Sequence, residues 1–192
     1  MRLKRSIGLL MATIAATLAT VLVAGQPAFA SNPGTINNLI SWMCLQPLPG
    51  PFQTIYDNGV RIAQMPCNGS TEQQWSAVQL GTGKDPLKQC GWTGCVYTPE
   101  SYNYIINRLT NLCLDVTDAR TDDRAEIQQY NCNGGGSEIW YKHPYIDQLF
   151  QYVNSRTAKC LDVPDGTVNA TYVWQFHCTG GSNGAQAFVF PS

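Results

Sequence analysis

The chain has 192 residues, with 12 Lys and Arg against 13 Asp and Glu. Three of the basic residues (Arg2, Lys4, Arg5) and no acid fall within the first 30, so residues 31–192 carry 9 basic and 13 acidic side chains, a net charge of −4. That balance excludes a basic nucleic-acid-binding face and electrostatic adhesion to an anionic membrane, and it leaves 162 residues, about one domain.

The first thirty residues read as an export signal. The basic start is followed by an apolar run at 7–24 and by Ala28-Phe29-Ala30, a small-x-small cleavage pattern. The run is close to the roughly 20 residues that span a bilayer, which keeps an uncleaved anchor as the alternative. The small residues directly after it favour cleavage near Ala30/Ser31 and secretion. No later stretch is long and apolar enough for membrane insertion. All five tryptophans and all nine tyrosines lie beyond residue 30. With few charges and many Gly and Pro, this composition predicts a loop-rich all-β domain.

Eight cysteines follow: 44, 67, 90, 95, 113, 132, 160 and 178. An even number in an exported chain points to disulfides rather than to metal or redox chemistry. Eight cysteines allow 105 pairings, and spacing selects among them. Cys44 and Cys67 stand 23 apart, Cys113 and Cys132 stand 19 apart, Cys160 and Cys178 stand 18 apart, and Cys90 and Cys95 remain as a local pair. A zinc site is the weaker reading, because export disfavours free thiolates and the only histidines are His143 and His177.

Three segments superimpose on these cysteines. They open with "GTINNLISWMCLQP" (34–47), "YNYIINRLTNLCLDV" (102–116) and "LFQYVNSRTAKCLDV" (149–163). Each has alternating apolar residues, an Asn, a polar turn and then Cys-Leu. Before the second cysteine of each unit come an apolar residue (Ile62, Ile127, Val173), a Gln (Gln64, Gln129, Gln175) and a large side chain (Met65, Tyr130, Phe176). The units close on Trp75, Trp140 and Phe188. Alternation over four to eight residues, broken by Gly-containing turns, predicts short antiparallel strands. One unit of about 45 residues buries too little to stand alone, so three are expected to pool their apolar faces around a shared axis. Repeats are expected at about 34–80, 102–145 and 149–192, with an insertion at about 81–100 holding Cys90, Trp92 and Cys95. That insertion reads as a stapled surface loop, or as a ligand or partner contact through Trp92. The acids Asp118, Asp122, Asp123 and Glu126 read as a solvated hairpin, with calcium binding as the alternative.

The order Cys-Leu-Asp-Val, an aromatic two before the second Cys, Cys-Asn-Gly and a closing Gln-x-Trp resembles the ricin B-type lectins, over nearly all of residues 32–192. The resemblance implies a β-trefoil and a non-catalytic carbohydrate-binding role without a cofactor. It also implies site residues. In the second repeat these are Asp115 to accept sugar hydroxyls, Tyr130 as a stacking platform, Gln128 lining the site, Ser137 where a further contact is usually Asn, and Glu138 where Gln usually orients the Asp. In the third they are Asp162, Phe176, Trp174 as added stacking area, and Gln186 as the orienting amide. Ala185 forfeits the further contact there, for which Asn183 or His177 compensates. In the first repeat Gln46 and Met65 replace Asp and platform, so no sugar is expected.

The expected partner is a galactose- or pentose-type glycan or polysaccharide. The alternative is an adaptor whose degenerate sugar sites leave it to bind a secreted toxin or hydrolase. Catalysis is not expected. Glycoside hydrolysis needs two carboxylates about 5 to 10 Å apart across a cleft, and the repeat places no such pair. G-x-S-x-G, H-E-x-x-H and phosphate-loop motifs are absent.

Overall fold

The computed structural model describes residues 34–84, 86–87, 89–91, 94–96, 99–180 and 184–190, with the backbone alone at 89–91, 94–96 and 165. The proposed export signal, Trp92 and Asn183 lie outside the described residues, as do the side chains of Cys90 and Cys95. The described residues contain strands and single 3-10 turns and no α-helix. In chain order the strands are β1 (Asn37–Asn38), β2 (Cys44–Pro47), β3 (Val60–Met65), β4 (Trp75–Lys84), β5 (Gln89–Gly91), β6 (Gly94–Val96), β7 (Pro99–Asn107), β8 (Cys113–Val116), β9 (Ile127–Tyr130), β10 (Ile139–Pro144), β11 (Leu149–Asn154), β12 (Cys160–Asp162), β13 (Thr171–Tyr172), β14 (Trp174–Phe176) and β15 (Phe188–Val189).

Each repeat closes by pairing its last strand with the first strand of the next. β4 pairs with β7, β10 with β11, and β15 with β1, all antiparallel. Pairs β10–β7 and β15–β11, with a bridge between Thr35 and Gln74, complete a barrel. The hairpins β2–β3, β8–β9 and β12–β14 pack beside it. This is the all-β trefoil that the resemblance implied.

The core repeats with the sequence. Leu45, Leu114 and Leu161, each directly after a cysteine, are fully buried, and so are Ile62 and Ile127, with Val173 nearly so. Trp75, Trp140 and Phe188 meet in the same cluster. The two indole N–H groups donate to the carbonyls of Leu45 and Leu114, each at 2.9 Å, so the closing tryptophans are buried without an unpaired donor.

Two polar side chains per repeat hold the loops. Asn38, Asn107 and Asn154 each accept from two backbone N–H groups of the following turn. That turn then needs a left-handed residue, supplied by Trp42, Asn111 and Ala158 at φ of 57°, 64° and 54°. The buried glutamines three before each second cysteine reach across repeats. Gln64 donates to the carbonyls of Thr167 and Asn169, Gln129 to those of Ile55 and Asp57, and Gln175 to those of Arg120 and Asp122. Each accepts in return from a hydroxyl of its own repeat, Ser41, Thr110 or Thr157. The repeats are thereby linked in a cycle.

Disulfides join Cys44 to Cys67, Cys113 to Cys132 and Cys160 to Cys178, each inside one repeat. In the insertion the backbone pairs Cys90 opposite Cys95 between β5 and β6. The insertion is more than a surface loop, because β4 and β7 extend together as one long hairpin from Trp75 with Asn107 out to Lys84 with Pro99. Gly81 leaves room along it for the Tyr102 ring, whose hydroxyl oxygen would lie 2.5 Å from a Cβ placed there. The acid-rich hairpin is not simply solvated. Asp122 pairs with Arg120, Asp123 with Lys159 and His177, and Glu126 with Arg61.

Candidate functional site

Strand register places the site residues. At the end of each hairpin's first strand, the third residue after the cysteine motif begins faces one residue of the partner strand: Gln46 faces Ala63, Asp115 faces Gln128, and Asp162 faces Trp174. The cysteine itself faces the large residue two before the second cysteine. Cys44 lies opposite Met65, Cys113 opposite Tyr130, and Cys160 opposite Phe176. Pleating then brings the acid and the ring to one face, two positions apart.

Asp115 and Asp162 are both buried, with 6% and 5% of their surface exposed. A buried carboxylate must be hydrogen-bonded. Gln128 Nε2 donates to Asp115 Oδ1 at 2.9 Å, and the side chain of Ser137 also hydrogen-bonds Asp115. A carboxylate has about four acceptor positions, so Asp115 keeps capacity for hydroxyl donors. Burial pushes its carboxyl above the ordinary value. The bonds from Gln128 and Ser137 pull it down, and the charge of Asp118 raises it further. In the third repeat the indole N–H of Trp174 donates to Asp162 Oδ1 at 2.7 Å, and Gln186 Nε2 donates to Oδ2 at 2.9 Å.

The rings differ in setting. Tyr130 is exposed. Phe176 is half-buried and packs on His177 with ring centroids 4.2 Å apart. His177 is fixed in turn by Asp123, whose carboxylate accepts from its backbone N–H and meets its Nδ1, both at 3.0 Å. Trp174 has the guanidinium of Arg124 over its ring at 5.4 Å. Its part is therefore to hold Asp162 as well as to offer surface, a role that sequence reading missed.

The orienting position carries the sharpest contrast. Gln73 and Gln186 each accept from the backbone N–H after the second cysteine, Asn68 at 2.8 Å and Thr179 at 2.9 Å. Each donates to the carbonyl before that cysteine, Pro66 at 3.0 Å and His177 at 2.9 Å, and to the motif residue, Gln46 or Asp162. Glu138 is fully buried at the same place. Its Oε1 accepts from the backbone of Asn133 at 2.7 Å, of Gly134, and of Gly135 at 3.1 Å, while its Oε2 has no hydrogen-bond partner. Ala185 is buried, and Gln46 and Met65 leave the first repeat without acid or ring. Among the described residues no cluster of three or more His, Cys, Asp or Glu side chains is placed to hold a metal ion.

The family model of the ricin-type beta-trefoil lectin domain matches residues 101–192. The matched stretch is just under half of the 192 residues. The match spans the second and third repeats, the two that keep the Asp. No match is found among curated protein sequences. Among solved structures, the designed three-fold symmetric protein ThreeFoil is similar to this chain, with a TM-score of 0.67 and 23% identity over 83% of this chain and 97% of its own. The exo-beta-1,3-galactanase 1,3Gal43A of Clostridium thermocellum has a TM-score of 0.64 and 25% identity over 83% of this chain. The Polyporus squamosus lectin, bound in its structure to Neu5Aca2-6Galb1-4GlcNAc, has a TM-score of 0.60 and 13% identity over 81% of this chain. This chain spans 30% of the galactanase and 47% of the Polyporus protein.

Proposed function

We propose that this protein is a secreted, non-catalytic carbohydrate-binding protein with two sugar sites, Asp115 with Tyr130 and Asp162 with Phe176. One observation carries the reading. In two repeats of three, a buried carboxylate held by a side-chain donor lies two pleat positions from an aromatic ring with accessible surface. A sugar presents an apolar C–H face and a fringe of hydroxyls. The ring takes the face, and the carboxylate accepts from two hydroxyls by charge-assisted bonds, which are stronger than neutral ones. Galactose- or pentose-type residues are the proposed ligands. Each site alone holds its sugar by roughly −4 to −6 kcal/mol, and two sites on one rigid body gain avidity on a polymer.

The third repeat is the better site, since there the orienting position keeps its Gln and Gln186 holds Asp162, whereas Glu138 stands at that position in the second repeat. Glu138, the acid at the orienting position of the second repeat, is sealed from solvent and so is not placed to act on a bound sugar. The three disulfides fit an oxidising compartment outside the cell, consistent with an export signal at 1–30.

A second reading, an adaptor for a secreted toxin or hydrolase, draws on the unpartnered Glu138 oxygen, on Ala185, and on the long β4–β7 hairpin with exposed Val78 and Leu80. A glycan and polysaccharide screen on the oxidised mature chain separates the two. Two-site binding of neutral sugars supports the lectin reading. A blank screen, with one stoichiometric protein captured from culture supernatant, supports the adaptor.

A further inference from the structure

A cavity of about 490 Å³ opens between β4, β7 and β10, and it shares no lining residue with the Asp115 or Asp162 sites. Its volume lies in the range of small-ligand pockets. Two cations line it, Arg108 and Lys142, and no carboxylate does. Among the described residues neither cation forms an ion pair. The ammonium of Lys142 sits 3.9 Å from the Phe150 ring centre and 5.5 Å from that of Phe190. This aromatic setting stabilises it in place while removing water from around it, and burial pushes its pKa down. Arg108 spends only its Nε, which donates to Ser76 Oγ at 2.9 Å. Its guanidinium lies against Gly34, where an added Cβ would be 3.6 Å away. Lys142 is half-buried and Arg108 stands exposed at the rim; a partly desolvated ammonium attracts an anion more strongly than a surface one does, and it does so here in a domain whose net charge is negative.

The remaining lining says what else the anion carries. Ser76, Gln79 and Asn103 offer hydroxyl and amide groups at the cavity wall, and Phe190 offers an apolar one. A bare inorganic anion would leave most of this volume and these polar groups unused. We propose that the cavity is a second, anion-selective saccharide site, which takes a carboxylate-bearing sugar such as a hexuronate. Its carboxylate sits between Arg108 and Lys142, and its hydroxyls meet the amide and serine groups. The proposal does not depend on the Asp115 and Asp162 sites.

The test uses the oxidised mature chain and titrates galacturonate, methyl galactoside and inorganic phosphate by calorimetry or NMR. Galacturonate is expected to bind undiminished to the Asp115→Ala/Asp162→Ala double variant, which no longer takes methyl galactoside. Lys142→Met and Arg108→Gln are each expected to weaken galacturonate at least tenfold while leaving methyl galactoside binding to the otherwise native chain unchanged. Arg108→Gln removes a side chain outside the hydrophobic core, so it remains informative should Lys142→Met fail to fold. Loss of galacturonate binding in the aspartate double variant, indifference to the cation substitutions, or phosphate binding as tight as galacturonate would each overturn the proposal.

Discussion

Gln186 donates to Asp162 Oδ2 at 2.9 Å and to the carbonyl of His177 at the same distance, whereas Glu138, its counterpart, leaves one buried oxygen without a partner. The carbonyl matching His177 in the second repeat is that of Asn131. Glu138→Gln supplies the missing donor. It is expected to stabilise the fold by about 1 kcal/mol, the usual net worth of one hydrogen bond, and to raise sugar affinity at the Asp115 site several-fold. Thermal unfolding and sugar titration of the variant check both.

Acid affects the second repeat in two opposed ways. Burial raises the Asp115 carboxyl above 3.8. The charged form is the one that accepts from sugar hydroxyls, so binding at this site is expected to vanish on acidification at a pH above the ordinary carboxylate range. Folding has the other sign. The folded carboxyl holds its proton more tightly than the unfolded one, so its contribution to stability is fully present below pH 3.8 and is lost as pH rises through the raised value. Titrating sugar against pH with Asp162→Ala, which isolates the second repeat, reads the first effect. Urea unfolding of wild type and Asp115→Asn across the same range reads the second.

The cross-repeat glutamines predict coupling between repeats. Gln129→Ala strips the carbonyls of Ile55 and Asp57, and the hydroxyl of Thr110, of their partner. Part-buried hydrogen bonds of this kind are worth about 1 kcal/mol each, so a loss of about 2 kcal/mol is expected from a side chain that touches no sugar. Amide exchange should then quicken in the first repeat's loop at 55–57, not only around residue 129.

Removal of one bridge tests the pooled core. Cys113→Ala/Cys132→Ala opens a loop of 19 residues. On the chain-entropy model it is expected to cost about 3 kcal/mol without changing the fold, which denaturant unfolding and the far-ultraviolet spectrum measure together.

The trefoil was legible because the same physical demand is written three times. Cys-Leu marks a buried strand start, the Asn before it caps a turn, and the closing aromatic fills the axis. Those are backbone and packing requirements, and they fix residue type at fixed spacing. Less of the site was legible. The pairing of Asp115 with Gln128 and of Asp162 with Trp174 follows from hairpin register, but that Trp174 turns its N–H onto Asp162 is a matter of rotamer that the register does not state. The polar capture of Glu138 by three backbone N–H groups depends on loop geometry that the word "Glu in place of Gln" does not contain. The insertion showed in the sequence as extra length with a local cysteine pair. That β4 and β7 run on as one hairpin follows from their continuous pairing past the barrel. The cation-lined cavity joins residues from the first and second repeats to Phe190, and no local pattern brings these together.

Retention on a galactan or arabinoxylan column measures the central claim most directly. Wild-type mature protein should be retarded, each of Asp115→Ala and Asp162→Ala should elute earlier, and the double variant, with an unchanged unfolding temperature to within a few degrees, should elute with the void of neutral sugar binding. Undiminished retardation of a folded double variant would contradict the account.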